Sequence, residues 1–359
     1  MTRDATTWHC AHIYYYDDDK DGLLLDGVRP LIDELAPDAK RVFFVRHWRQ
    51  GPHIRLCVSA GEPAASSLRP RIDTAIGRYL AEYPSRAKVD EAQLLAIHRT
   101  LAAKERETGP LTPLQPDNSI HHEPYDRRLG VLGTDAAAAL LERFYHETTP
   151  IAFDMLARVR AGDSRLTIAL DLMLATAHAQ WPDIRRGFIS YRSHAEGLIV
   201  QSADPVACRA FCRDKYRSQG DALKARLLAI LDDIDHDRDT IPFVRRWVDA
   251  MAKFREAADP LIASGAISFA GTRPPPDAAW DPEMLKHSEF HRTLQSNASR
   301  LTFMREDPGF LAYRLMLNYL YLHLGRIGIR PIERLMLCYL AAEAVEEQFG
   351  VSARELVAS

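Results

Sequence analysis

The sequence is poor in the features that mark membrane, secreted or metal-dependent proteins. No apolar run reaches the roughly 18 residues that a membrane span requires, and Met1 to Asp4 carry no apolar core of a secretory signal. Five cysteines in 359 residues do not make a disulfide framework. Positive charge is not in excess: 46 Lys and Arg face 49 Asp and Glu, a formal net charge of −3, which argues against a dedicated nucleic-acid binder. Walker loop, GxGxxG and HExxH are all missing. These absences predict a soluble, cytoplasmic protein of a reducing compartment that binds neither membrane nor nucleic acid.

Partial metal motifs also fail. Cys208 and Cys212 share a helix face, but position 215 is Lys215 where a radical iron–sulfur motif needs a third cysteine, and no histidine stands near for zinc. Asp17, Asp19, Asp21 and Gly22 open like a calcium loop, yet the closing acid falls on Val28. Asp233, Asp235 and Asp237 lack the glycine, which is Arg238, and the final acid, which is Val244. His121-His122-Glu123 has no spacing to a third ligand. The expectation is no metal and no organic cofactor.

What is present is ordinary globular composition, 47% hydrophobic and 26% charged, in a chain long enough for more than one core. Residues 1–90 read as an α+β sheet unit. Trp8 to Tyr16 is strand-like, Leu23 to Leu35 helical, Arg41 to Trp48 and His53 to Ser59 are strands, and Ala64 to Tyr83 is a helix. The order βαββα is half of a ferredoxin-like sandwich whose missing strand comes from later in the chain. Residues 91–134 form a loop-rich connection, 135–271 a helical region, and 272–359 a Pro-rich linker or lid, Pro274 to Asp281, followed by C-terminal helices. The fold class is α+β, a ferredoxin-like antiparallel sheet with a large helical portion.

The hairpin carries the first functional hint. With Trp48 facing His53 across a four-residue loop, Arg46 faces Arg55 and Phe44 faces Cys57, while Phe43, Val45, Leu56 and Val58 turn toward the helices. Opposed arginines repel by a few tenths of a kcal/mol, a cost offset either by nearby acids or by an anionic or carbonyl-rich partner. A register one residue off removes the argument.

The strings Phe43-Phe44-Val45-Arg46-His47-Trp48 and Gly51-Pro52-His53-Ile54-Arg55-Leu56 resemble the "FFIRYW..GPHIRLR" signature of the lantibiotic dehydratase C-terminal, or elimination, domain. Its "Y.PE..RYGG" box is echoed by Glu123-Pro124-Tyr125-Asp126-Arg127-Arg128-Leu129-Gly130. Its closing "HMHCNRLLGID" segment falls at Leu320 to Arg330, where Gly328-Ile329 and Glu333 agree. The histidine that assists glutamate elimination in that family is replaced near Leu320, among Asn318, Tyr319 and Tyr321. The C-terminal stretch is similar to the stand-alone thiopeptide pyridine synthases of the same family. That resemblance implies the elimination-domain fold and formal [4+2] closure between two dehydroalanines. The partner is a leader-bearing, dehydrated, azole-containing precursor peptide, which loses water and its leader as an amide. The alternatives are a stand-alone glutamate eliminase and a non-catalytic leader-binding scaffold.

Such chemistry needs positioning, a hydrogen-bond donor and a proton acceptor, and no cofactor. Candidate catalytic residues are Tyr319 and Tyr321 on the C-terminal helix, and Ser288 and His291 after the Pro-rich stretch. The two tyrosines, two apart on a helix, cannot face one pocket together, and Ser288 doubles as a helix cap. Candidate substrate-binding residues are Arg46, His53, Arg55, Tyr125 and Asn318.

Overall fold

Alternating apolar and polar residues early in the chain build the strands β1 (Thr6–Tyr14), β2 (Ala39–His47) and β3 (His53–Gly61). The computed structural model describes residues 6–62, 64–269 and 280–359; most of the Pro-rich stretch, 274–279, and the 271/272 boundary lie outside them. The chain divides into two units, Met1–Gly162 with Gly325–Gly328, and Asp163–Leu324 with Ile329–Ser359.

In the first unit, β4 (Ser119–Glu123) lies antiparallel beside β1, giving the order β2-β3-β1-β4. Helices α1 (Arg29–Leu35), continuing a π-helical turn over Leu23–Val28, and α2 (Ala64–Glu82) complete a βαββαβ ferredoxin-like arrangement. The strand missing from the first ninety residues is therefore supplied by the segment around His121. Further along are α3 (Glu91–Glu105), capped by Asp90, then α4 (Leu129–Leu132), α5 (Asp135–Glu147) and α6 (Thr149–Arg160). Helix α5 lies along β2, where His146 Nδ1 accepts the Val42 N–H at 3.2 Å.

The hairpin register corrects the sequence expectation by one residue. His47 pairs with His53, Val45 with Arg55, and Phe43 with Cys57. The loop has five residues, Trp48 to Pro52, because Gln50 (φ 60°) and Gly51 (φ 120°) take positive-φ conformations and the Gly51 N–H bonds the Trp48 carbonyl at 3.0 Å. A Cβ on Gly51 would lie 2.2 Å from the Tyr16 hydroxyl, so only glycine fits. Arg46 and Arg55 thus stand on opposite faces and do not repel across a pair. Arg46 joins Val42, Phe44, Ile54, Leu56 and Val58 on the face packed by helices, while Arg55 joins Phe43, His47, His53 and Cys57.

Cys10 and Cys57, directly opposite on β1 and β3 with Cα atoms 4.2 Å apart, form a disulfide. The expectation of a reducing compartment did not foresee this one pair; Cys208, Cys212 and Cys338 are free. A close cross-strand pair supplies the reach that sequence spacing does not reveal.

Arg326 centres a buried polar network in this unit. Only 1% exposed, it donates from Nε to the Phe44 carbonyl at 2.9 Å, from Nη1 to Thr148 Oγ1 at 2.9 Å, and from Nη2 to Thr149 Oγ1. Both threonines pass their own protons to carbonyls one turn back, so the network is satisfied without a carboxylate. Its guanidinium lies 4.8 Å over the Phe44 ring, and burial lowers its pKa to about 9. The Arg326 carbonyl in turn accepts from Arg46 Nε at 2.9 Å.

The second unit is helical. Its elements are α7 (Arg165–Ala179), α8 (Ile184–Gly187), α9 (Ile189–Gln201), α10 (Pro205–Arg217), α11 (Gly220–Asp235) and α12 (Val244–Ala263). They are followed by α13 (Pro282–His287), α14 (Glu289–Ser296), α15 (Ala298–Glu306), α16 (Pro308–Arg326, whose last turn belongs to the first unit), α17 (Pro331–Phe349) and α18 (Ala353–Ala358). Helix α7 is buried from Ile168 to Ala177, and fully buried Trp247 donates its indole N–H to Thr176 Oγ1 at 2.8 Å. No helix of the described residues is long and apolar enough to cross a membrane.

Removing the guanidinium in Arg326→Met strands the Phe44 carbonyl and both threonine oxygens. The expected loss is about 3 kcal/mol of stability, read as a lower denaturant midpoint; a loss under about 1 kcal/mol would contradict the role given to Arg326.

Candidate functional site

Helix α9 carries a polar sequence, Arg192-Ser193-His194-Ala195-Glu196, into the middle of the helical unit. It is held there by Arg192, which bonds Glu343 at 3.1 Å and also Glu346 on α17. Burial opposes the Arg192 charge, but the two carboxylates outweigh it and raise the pKa. Glu196 is gripped by both Arg209 terminal nitrogens at 2.7 Å.

Ser288 caps α14, accepting the His291 N–H at 3.2 Å, as the sequence allowed. Its hydroxyl also lies 2.9 Å from His291 Nδ1, and it donates to Glu196. With its one proton spent on Glu196, Ser288 Oγ must accept from Nδ1–H, which leaves Nε2 as the acceptor on His291. Ser193 Oγ meets that Nε2 at 3.1 Å and fills the role of donor. Glu196, Ser288, His291 and Ser193 thus form a relay whose first three members are buried and whose last is half-buried. Burial lowers the His291 pKa to about 4 against the opposing pull of Glu196, so the imidazole is neutral at pH 7.

One residue along α9, His194 Nδ1 lies 2.7 Å from the Tyr321 hydroxyl. Tyr321 Oη is 3.6 Å from Cys338 Sγ, and Arg334 stacks over the phenol ring at 4.6 Å. Burial, reinforced by Arg334 and Arg314, lowers His194 to about 4, while burial and Cys338 raise the Tyr321 hydroxyl well above its usual value. A neutral base and a neutral acid therefore share one hydrogen bond.

The structure separates the two tyrosines as helical geometry requires. Tyr319 is 3% exposed and edge-on to Phe254, on the side of α16 away from His194. Asn318 is exposed on the side of α16 that also carries Tyr321. Ser193, His194, Glu196, Arg334 and Cys338 were not singled out from sequence; the one available signal was a Ser, a His and a Glu interrupting a helix otherwise rich in buried residues.

In the first unit, His53 and Arg55 lie on the sheet face of Phe43 and Cys57, against which Tyr145 of α5 packs. His53 donates from Nδ1 to the Gly51 carbonyl at 2.8 Å and accepts from Arg55 Nε at 3.2 Å, which fixes its neutral tautomer. Burial, then His12 and Arg55, hold it well below its usual pKa. Its ring packs against His12, Tyr14 and His47, and burial followed by Arg49 lowers Arg55 to about 10. Arg46, on the opposite face, bonds Asp21 at 2.9 Å as well as the Arg326 carbonyl. Tyr125 stacks on Trp8 with ring centroids 4.4 Å apart. A pocket of about 480 Å³ between α2 and β4, lined by Asp73, Gly77, Ile120 and His122, touches none of these residues. No group of three or more His, Cys, Asp or Glu among the described residues has metal-binding geometry.

The depressed histidines set a pH dependence. A folded pKa near 4 against an unfolded value near 6.5 means that stability present above pH 6.5 is lost as the pH falls toward 4, because only the unfolded chain takes up the proton. His291→Asn is expected to flatten that loss between pH 6.5 and 4 in pH-resolved denaturant unfolding; an unchanged slope would contradict the assignment of a neutral His291.

Comparison with known proteins identifies the family. The sequence matches the family described as lantibiotic biosynthesis dehydratase C-term over residues 8–345. No curated protein matches it. Among solved structures, the pyridine synthase TbtD from thiomuracin biosynthesis is 34% identical, with 96% of this chain and 100% of that chain covered at a TM-score of 0.79. TsrL is 24% identical, with 99% and 98% covered at a TM-score of 0.74, a likeness of fold. The ferredoxin-like sheet, the helical unit and a family match across nearly the whole chain together show that this protein belongs to the lantibiotic dehydratase C-terminal family.

Proposed function

We propose that the protein is a pyridine synthase acting on a leader-bearing peptide that contains two dehydroalanines. The observation that carries this reading is the 34% identity to a pyridine synthase over 96% of the chain. The paired neutral acid–base contacts of α9 supply the groups that the chemistry requires.

In the proposed reaction the amide joined to one dehydroalanine becomes its iminol tautomer, creating a 2-aza-diene. The alkene of the second dehydroalanine adds across it, forming two carbon–carbon bonds and a six-membered ring. Loss of the former amide oxygen as water, then of the leader as its C-terminal amide, leaves the pyridine. Each step moves protons between nitrogen, oxygen and carbon, which neutral imidazole and phenol groups catalyse by about 10²–10⁴-fold. His194 and Tyr321 are the proposed pair for tautomerisation. The Ser193 hydroxyl, backed by His291, Ser288 and Glu196, is the proposed donor and acceptor for the eliminations. Asn318, beside Tyr321 on α16, is a proposed peptide contact, as are Arg55, His53 and Tyr125 in the first unit. Arg46, already bonded to Asp21 and the Arg326 carbonyl, is proposed to act through the sheet, and Tyr319 through the packing of α16. Holding both dehydroalanines in attack geometry contributes up to about 7–11 kcal/mol.

Leu320, fully buried near the place that the resemblance gives to the family's elimination histidine, offers no titratable group. Glutamate elimination is accordingly the contrasting outcome of the test.

Purified protein is incubated with the dehydroalanine-bearing precursor and the products are weighed. A core lighter by one water and by its leader, with the leader recovered as an amide, is the expected result, and Tyr321→Phe is expected to slow it by about 10²-fold. Unchanged precursor, together with turnover of a glutamylated peptide, would overturn the proposal in favour of an eliminase.

A further inference from the structure

The proposed reaction generates negative charge on an amide oxygen, so its site needs a fixed positive partner that the protein has not already neutralised. The three helices around Tyr321 hold two such side chains. Helix α9 carries one carboxylate, Glu196; α16 carries none; α17 carries Glu333, Glu343, Glu346 and Glu347. All are engaged. Arg209 holds Glu196, Arg192 holds Glu343 and Glu346, Arg330 holds Glu333, and Lys224 with Tyr216 holds Glu347.

Arg326, which also has no carboxylate, has its donors filled by the Phe44 carbonyl and the two threonines; Arg314 and Arg334 are left over. Arg314 Nη1 and Arg334 Nε are buried with no hydrogen-bond partner among the described residues, a costly arrangement for a guanidinium unless a ligand completes it. Both lie at the acid–base pair. Arg314 and Tyr321 are seven residues apart on α16, hence on one face. Arg334 sits over the Tyr321 ring at 4.6 Å, one turn before Cys338 on α17. Both act on His194 electrostatically. Arg314 is packed against the Phe269 ring at 5.2 Å, which restricts the movement of its head. Both side chains are half-buried, so the pair is shielded from bulk water and still reachable.

We infer that Arg314 and Arg334 form an oxyanion site for a peptide amide, receiving the carbonyl oxygen of the unit whose N–H proton is removed beside Tyr321. The inference rests on the pyridine-synthase reading. In the step it describes, the amide N–H proton passes to Tyr321 Oη while Tyr321 passes its own proton to His194 Nδ1. The nitrogen pair forms the C=N bond, and the carbonyl π pair moves onto oxygen. A neutral amide and a neutral imidazole become an iminolate and an imidazolium, and the arginine pair carries the new negative charge until the oxygen is protonated by return of the same proton. No other bond breaks and no co-reactant is consumed.

Two readouts test the site, one independent of turnover. Crystals of the full chain soaked in sodium bromide are expected to show an anomalous peak in contact with Arg314 Nη1 and Arg334 Nε, and the Arg314→Met/Arg334→Met double variant is expected to lose it. In steady-state kinetics with the dehydroalanine-bearing precursor, each single Met variant is expected to lower kcat by about 10²-fold. KM should stay within about threefold, and Arg334→Lys should recover part of the loss. Absence of bromide from the wild-type pair would overturn the site whatever the turnover, and Met variants with unchanged kcat would overturn its role in the reaction. Wild-type protein that binds bromide at the pair but makes no pyridine would sink the parent reading and leave the anion site supported.

Discussion

The buried contact of Arg192 with Glu343 and Glu346 is the constraint on which the candidate site depends. A guanidinium inside a helical core is tolerated only when its charge is matched and its donors are filled. Those two carboxylates, one turn apart on α17, do both. The contact sets the height and rotation of α9 against α17. The next four residues then have little freedom: Ser193 meets His291, His194 meets Tyr321, and Glu196 meets Ser288 and Arg209. Binding energy invested in one buried ion pair fixes two acid–base contacts at once, the kind of preorganisation that proton-transfer catalysis uses.

In both units burial is the first cause that keeps the imidazoles of His12, His47, His53, His194 and His291 neutral. In the helical unit burial dominates, and each ring nitrogen that matters has a hydroxyl partner. On the sheet face of the first unit His12, His47 and His53 lie among Arg49 and Arg55, and burial together with those cations holds His12 down to about 3. The result in each unit is a group of imidazoles that exchange hydrogen bonds without carrying charge at pH 7.

The ferredoxin-like order was legible because strand and helix periodicities alternate cleanly to Tyr83. The closing strand was legible only as a requirement, since Ser119–Glu123 is a short edge strand whose one apolar residue, Ile120, gives no alternation. The hairpin register was misread because the loop length depends on positive φ at Gln50, which residue identity does not announce beside Gly51 and Pro52. Ser288, His291 and Tyr321 were singled out by chemistry and resemblance. Their hydrogen-bond partners were missed because Ser193 and His194 meet them across about 100 to 130 positions of sequence. The segregation of Tyr319 from Tyr321 follows from helical geometry alone.

The central claim is that a peptide reacts where His194 and Tyr321 meet. It is tested most directly by a crystal structure of the protein with a leader-bearing peptide in which one dehydroalanine is replaced by alanine, so that the ring cannot close. The account predicts that the amide of the remaining dehydroalanine lies within about 3.2 Å of Tyr321 Oη. A peptide bound with that amide elsewhere, and with the His194–Tyr321 contact closed to it, would contradict the account.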